Sequence, residues 1–135
     1  MHFAPTAQEH DALLTMSGPA LMEYFVVRAA EVEEVWGLGD ASGWVMRELA
    51  DQTTLPVWPY QQLANNCAVD DWQGQECKSV SLEHFISRIL KLLVENDIQV
   101  EIMPSESAQG FIMSPQQLLT LFEGILESGD YFLEG

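Results

Sequence analysis

The chain holds 135 residues, with 21 Asp and Glu against 5 Lys and Arg, a formal charge of −16 at neutral pH. Five cations cannot neutralise a phosphate backbone and the net field repels polyanions, which excludes nucleic acid and disfavours anionic membrane surfaces. Four Trp, six Phe and three Tyr in a chain that is 47% apolar exclude a disordered acidic tail and supply the core of one domain.

Ala12, Leu13, Leu14 and Met16 predict a short helix closed by Ser17-Gly18-Pro19. Pro19 opens a second helix to about Ala30, because a first-turn proline lacks only an N–H the helix does not use. Leu21, Met22, Phe25, Val26 and Ala29 form its apolar face. Val35 to Leu38 and Gly43 to Met46 read as the two strands of a hairpin around Gly39 to Ser42. Leu55-Pro56-Val57-Trp58-Pro59 reads as a short strand, and its prolines favour a sheet edge or the strand's ends. Tyr60 to about Ala68 follows as a helix, and Asp70 to Gly74 as a loop.

Ser81 caps the clearest helix, with Glu83 near the positive end of its dipole. Its apolar face is Leu82, Phe85, Ile86, Ile89, Leu92 and Leu93, opposite His84, Ser87, Arg88, Lys91 and Glu95. Ile98, Val100 and Ile102 alternate with Gln99, Glu101 and Met103, the pattern of a half-buried strand. Gly110 to Met113 is its expected partner. Ser114-Pro115-Gln116-Gln117 is a capping box, opening a helix that buries Leu118, Leu121, Phe122 and Ile125 and stops near Ser128-Gly129. The fold class is therefore α+β: one domain with an antiparallel or mixed sheet of about five strands flanked by helices. It occupies residues 19–128, between an N-terminal helical extension (1–18) and a C-terminal tail (129–135).

These landmarks resemble a family of small bacterial proteins catalogued as domain of unknown function 2750. The likeness is carried by Val35-Trp36-Gly37-Leu38, the hairpin to Gly43-Trp44, Leu55-Pro56-Val57-Trp58-Pro59 and Trp72. Ser81-Leu82-Glu83-His84-Phe85, the strand from Ile98 to Met103 and the Ser114-Pro115 helix start complete it, over about residues 20–127. The shared features are aromatics, turns and caps, and the family carries no assigned activity to transfer. The stretch before Ser17 and the tail Tyr131-Phe132-Leu133 lie outside the likeness.

Motifs for chemistry are sparse. Gly39-Asp40-Ala41-Ser42-Gly43 spaces as G-x-x-S-G, a hairpin turn and not a nucleophile elbow. Gly37, Gly39 and Gly43 come without the lysine or following helix of a phosphate loop. His2, His10 and His84 make no metal-ligand spacing. Glu9-His10-Asp11 point in different directions on a helix, and Asp70-Asp71 and Glu33-Glu34 fit no calcium loop. No catalytic residue, metal ligand or cofactor is assigned. Cys67 and Cys77, outside any Cys-x-x-Cys pair, fit a reducing cytoplasm. The start Met1-His2-Phe3-Ala4-Pro5 lacks the features of a signal peptide, and the uncharged stretch Gln52 to Val69 is too polar to span a membrane.

That uncharged stretch supplies the candidate interaction surface: Trp58, Tyr60, Gln62, Asn65 and Asn66, aromatics ringed by adaptable polar groups. Burial competes with this reading, as it does for Trp36 and Trp44, and Trp58 is expected to be the more buried of the two aromatics. The function expected is a protein–protein interaction or regulatory module, of inhibitor or immunity type in one form, whose field steers it to a basic protein partner. The alternatives are a small enzyme with an Asp/Glu/His cleft and a self-associating structural protein, a homodimer being one form, with the tail Tyr131-Phe132-Leu133 docked on its own domain or a neighbour's.

Overall fold

Helix ends follow local signals. The computed structural model describes residues 18–40, 43–49, 52–68, 72–104 and 110–128. Helix α1 (Gly18–Val32) carries Pro19 in its first turn and buries Phe25, Val26, Ala29 and Ala30. The short α2 (Gln61–Asn66) buries Leu63 and Ala64. Helix α3 starts at Leu82–His84, where the Ser81 hydroxyl accepts the His84 N–H at 3.1 Å. It widens into a π-helical turn (Phe85–Ile89) and ends as Leu90–Glu95. Helix α4 (Pro115–Ser128) begins in a reciprocal capping box: the Gln117 N–H donates to Ser114 Oγ at 3.1 Å and the Ser114 N–H to Gln117 Oε1 at 3.3 Å. The expected first helix and the tail Tyr131-Phe132-Leu133 lie outside the described residues.

The strands divide between two sheets. In the first, β1 (Glu34–Asp40) lies between β2 (Gly43–Trp44) and β5 (Glu76–Ser81), both antiparallel to it. The expected hairpin pairs Gly39 with Trp44 and Asp40 with Gly43. Gly37 is a glycine because a Cβ there would stand 2.6 Å from the Trp44 ring. The second sheet runs β3 (Arg47–Leu49), β4 (Gln52–Val57), β6 (Ile98–Ile102) and β7 (Phe111–Met113). Its β4–β6 pair is parallel and the other two pairs are antiparallel. The α+β class and mixed pairing hold, with seven described strands in two sheets where one sheet of about five was expected. A two-residue bridge joins the sheets: the Trp36 N–H donates to the Trp58 carbonyl at 2.8 Å, and the Trp58 N–H to that of Trp36 at 2.9 Å.

Strand β4 is interior, and of the two placements its prolines allow the second holds: Pro56 is the penultimate residue and Pro59 lies just past the end. The β3 ladder stops at Thr54, and Trp58 turns both backbone groups to Trp36. Pro56, two residues earlier, shares that side by strand alternation, so its missing N–H falls in the gap between the two pairings.

Helices α1, α3 and α4 cover one face of the second sheet, where Leu55, Val57, Val100 and Ile102 are buried. Phe122 of α4 meets Phe25 of α1 and Phe85 of α3 edge to face, with ring centroids 6.0 and 6.4 Å apart. Two positions depart from plain helical periodicity. Leu92 is 53% exposed whereas Leu90 is buried. The Leu90 N–H reaches the Phe85 carbonyl five residues back, so one extra residue enters the turn and the inward face passes from Phe85 to Leu90 and Leu93. Leu121 is likewise exposed, at the margin of the stripe Leu118, Phe122 and Ile125.

Candidate functional site

The residues expected to form an interaction surface split by burial. Trp58 and Tyr60 are buried, so the aromatic half of that surface belongs to the core. Trp58 points its indole N–H at the Pro104 carbonyl (3.0 Å) and stands edge to face with Trp72, 6.3 Å between centroids. Gln62 and Asn65 are exposed on α2, and Asn66 is half-buried. Asn65 Oδ1 and the Gln61 carbonyl lie 3.9 and 3.7 Å from Cys77 Sγ, and burial pushes that thiol above its ordinary 9.0. Cys67, buried, donates to the Pro104 carbonyl at 3.1 Å, so the two sulfurs have separate neighbours and form no disulfide with each other.

A second cluster lies on the sheet face away from the helices, and the alternating pattern of β6 concealed it. Glu101 is fully buried, where the alternation placed it toward water. Thr54 Oγ1 donates to its Oε1 at 3.2 Å, the Gly110 N–H to its Oε2 at 3.0 Å, and Arg47 Nη1 lies 3.3 Å from Oε2. The Arg47 guanidinium in turn sits over the Trp72 ring, 4.5 Å from its centroid. Gly110 can approach this closely because it has no Cβ, which would collide with the Ile102 carbonyl. Met103, at φ 51°, holds the backbone left-handed where the chain leaves β6. Three donors take up both carboxylate oxygens, so Glu101 acts as a clamp joining β3, β4 and the start of β7.

The helix-covered side of the same sheet opens at one end into an apolar groove of about 450 Å³. Trp44, Met46, Leu55, Ile89, Leu92, Leu93, Asn96 and Ile98 line it. Met46 is 44% exposed and Leu92 53%, so the groove carries large apolar surface that the fold leaves in water. The π-turn of α3 brings Leu92 there. No heptad or alternation rule locates this site, because its geometry depends on one inserted residue. A smaller groove, about 410 Å³, lies between α1, β7 and α4 and includes Met22, Phe111 and Leu121.

Among the described residues no three His, Cys, Asp or Glu side chains gather as a metal site, and no helix is long and apolar enough to cross a membrane. Glu9-His10-Asp11 and Asp70-Asp71 lie outside the described residues, and His84 is exposed on α3. The family model for the protein of unknown function DUF2750 matches residues 22–121. The chain is a DUF2750 protein. The matched span runs from α1 into α4, and both the Glu101 clamp and the groove beside Leu92 fall inside it. No curated protein and no solved structure matches this DUF2750 protein.

Proposed function

We propose that this chain is a small interaction module whose negative surface recognises a basic protein partner. One observation carries the reading: the charge imbalance lies on the surface and the cations are largely committed. Glu23, Glu33, Asp40, Glu48, Glu76, Glu83, Glu95, Asp97, Glu123 and Glu127 are all exposed. Arg28 pairs with Glu31 at 2.9 Å, Arg47 with the buried Glu101, and Lys78 Nζ donates to the Asp40 carbonyl at 2.6 Å. A field of one sign steers diffusional encounter with an oppositely charged surface and rejects acidic proteins. An inhibitor or immunity-type protein, covering a basic site on its target, is one form of this function. Cys67 and Cys77, which form no disulfide with each other, favour a cytoplasmic setting.

The test is affinity capture by the full chain at low and at moderate salt, with identification of what is retained. Retention of Lys/Arg-rich proteins, lost as salt rises, supports the module. A retained set with no basic excess, or with no salt sensitivity, removes it.

A further inference from the structure

We infer that the groove between α3 and the second sheet is where the basic partner anchors, and that it takes the apolar side chains of an amphipathic, Lys/Arg-rich segment. The inference rests on the acidic-module reading and gives it a location. Two large side chains, Met46 and Leu92, stand 44% and 53% exposed on the groove. Leu92 is there because the π-turn at Phe85–Ile89 turns it out of the core and seats Leu90 instead. Such turns recur at functional sites. At about 450 Å³, with Leu55, Ile89 and Ile98 among its walls, the groove admits apolar side chains, the mode in which an amphipathic helix enters a cleft.

Charge says what kind of segment fits. Glu48 pairs with Thr53, which shares a face of β4 with the groove residue Leu55, so Glu48 stands on the groove's side of the sheet. Glu95 and Asp97 bracket the groove residue Asn96, and all three carboxylates are exposed. The intervening cation, Arg47, is drawn to the opposite face by Glu101. Arg88 and Lys91, exposed on α3 beside Ile89 and Leu92 in sequence, are the cations nearest the groove on that helix, and the three carboxylates outnumber them. Apolar anchors flanked by cations complement this arrangement. A second copy of the chain does not, since each copy brings a charge of −16.

The experiment uses the full chain and two Leu/Lys peptides of identical composition, each about 18 residues long. One carries Leu at i, i+3, i+4 and i+7, and the other has the same residues scrambled. Amide shift mapping should place the striped peptide at Met46, Leu92, Asn96 and Ile98, and it should bind more tightly than the scrambled one. Leu92→Asp should weaken it about ten-fold, although the substitution adds a negative charge that favours a cationic ligand. Met46→Asp should do the same, and both positions are exposed enough for the variants to fold. Equal, salt-sensitive binding of both peptides with no effect of Leu92→Asp overturns the groove and leaves the acidic module standing. Failure of both peptides to bind at low salt removes the module and the groove together. Tighter peptide binding by the neutral variant Phe132→Ser would give the groove to the chain's own tail. A dimer in sedimentation that Leu92→Asp dissociates would give it to a second copy. Either result contradicts the inference.

Discussion

Arg47 and Glu101 form an ion pair in which only the arginine reaches solvent: the Arg47 side chain is 27% exposed and that of Glu101 0%. Removing the cation leaves a buried carboxylate with neutral donors alone. Arg47→Met should therefore cost about 3–5 kcal/mol in urea unfolding, toward the lower end because water reaches the arginine side. Arg47→Met combined with Glu101→Gln should be more stable than Arg47→Met alone, since the stranded charge is gone. A loss below about 0.5 kcal/mol for Arg47→Met would contradict the clamp.

Trp58 and Tyr60 should behave as core. Trp58→Ala is expected to cost about 3–5 kcal/mol through the cavity it leaves beside Trp72 and the loss of its bond to Pro104. Tyr60→Ala should also cost several times what Gln62→Ala does, which at an exposed site should stay within about 0.5 kcal/mol. Unfolding midpoints decide it, and a mild Trp58→Ala would return that residue to the surface.

The turn in α3 reverses the order plain helical spacing gives. Leu90→Ala should lose about 2–5 kcal/mol and Leu92→Ala about 0.5 kcal/mol or less. The opposite ranking in thermal or chemical unfolding would mean that the helix runs through Phe85–Ile89 without the extra residue.

Signals that act over one turn were legible. Ser81 and the Ser114–Gln117 box cap helices where the residue types require, and Gly43 with Trp44 closes the hairpin on Gly39 and Asp40. What failed depends on distant partners. Pro56 leaves edge and strand end both open, because its sequence does not show that β3 stops at Thr54 and that Trp36 takes over at Trp58. Glu101 looked solvated because alternation cannot show Arg47, Thr54 and Gly110 converging on it. Leu92 looked buried because a π-turn leaves no mark in an apolar pattern. The polar part of the expected surface, Gln62 and Asn65, is exposed, while its aromatics served the core.

Burial raises the Cys77 thiol above its ordinary 9.0, with a direct consequence for reactivity. At pH 8 less thiolate is present than on an unfolded chain, so site-resolved alkylation by iodoacetamide should be slower in the folded protein and half-maximal above pH 9.0. The protonated thiol is the neutral form and the folded chain holds its proton more tightly. Its contribution to stability is therefore complete below pH 9.0 and declines as pH rises through that value. Equal alkylation of folded and unfolded chain at pH 8 would contradict this.

The most direct test of a steering negative surface is a rate. With the full chain and the basic protein it retains, the association rate constant should be measured by stopped flow as salt rises from about 0.02 to about 0.3 M, which shortens the Debye length several-fold. A fall of about ten-fold or more, with dissociation changing less, is the result expected for charge-steered binding. An association rate that stays flat across the series would contradict it.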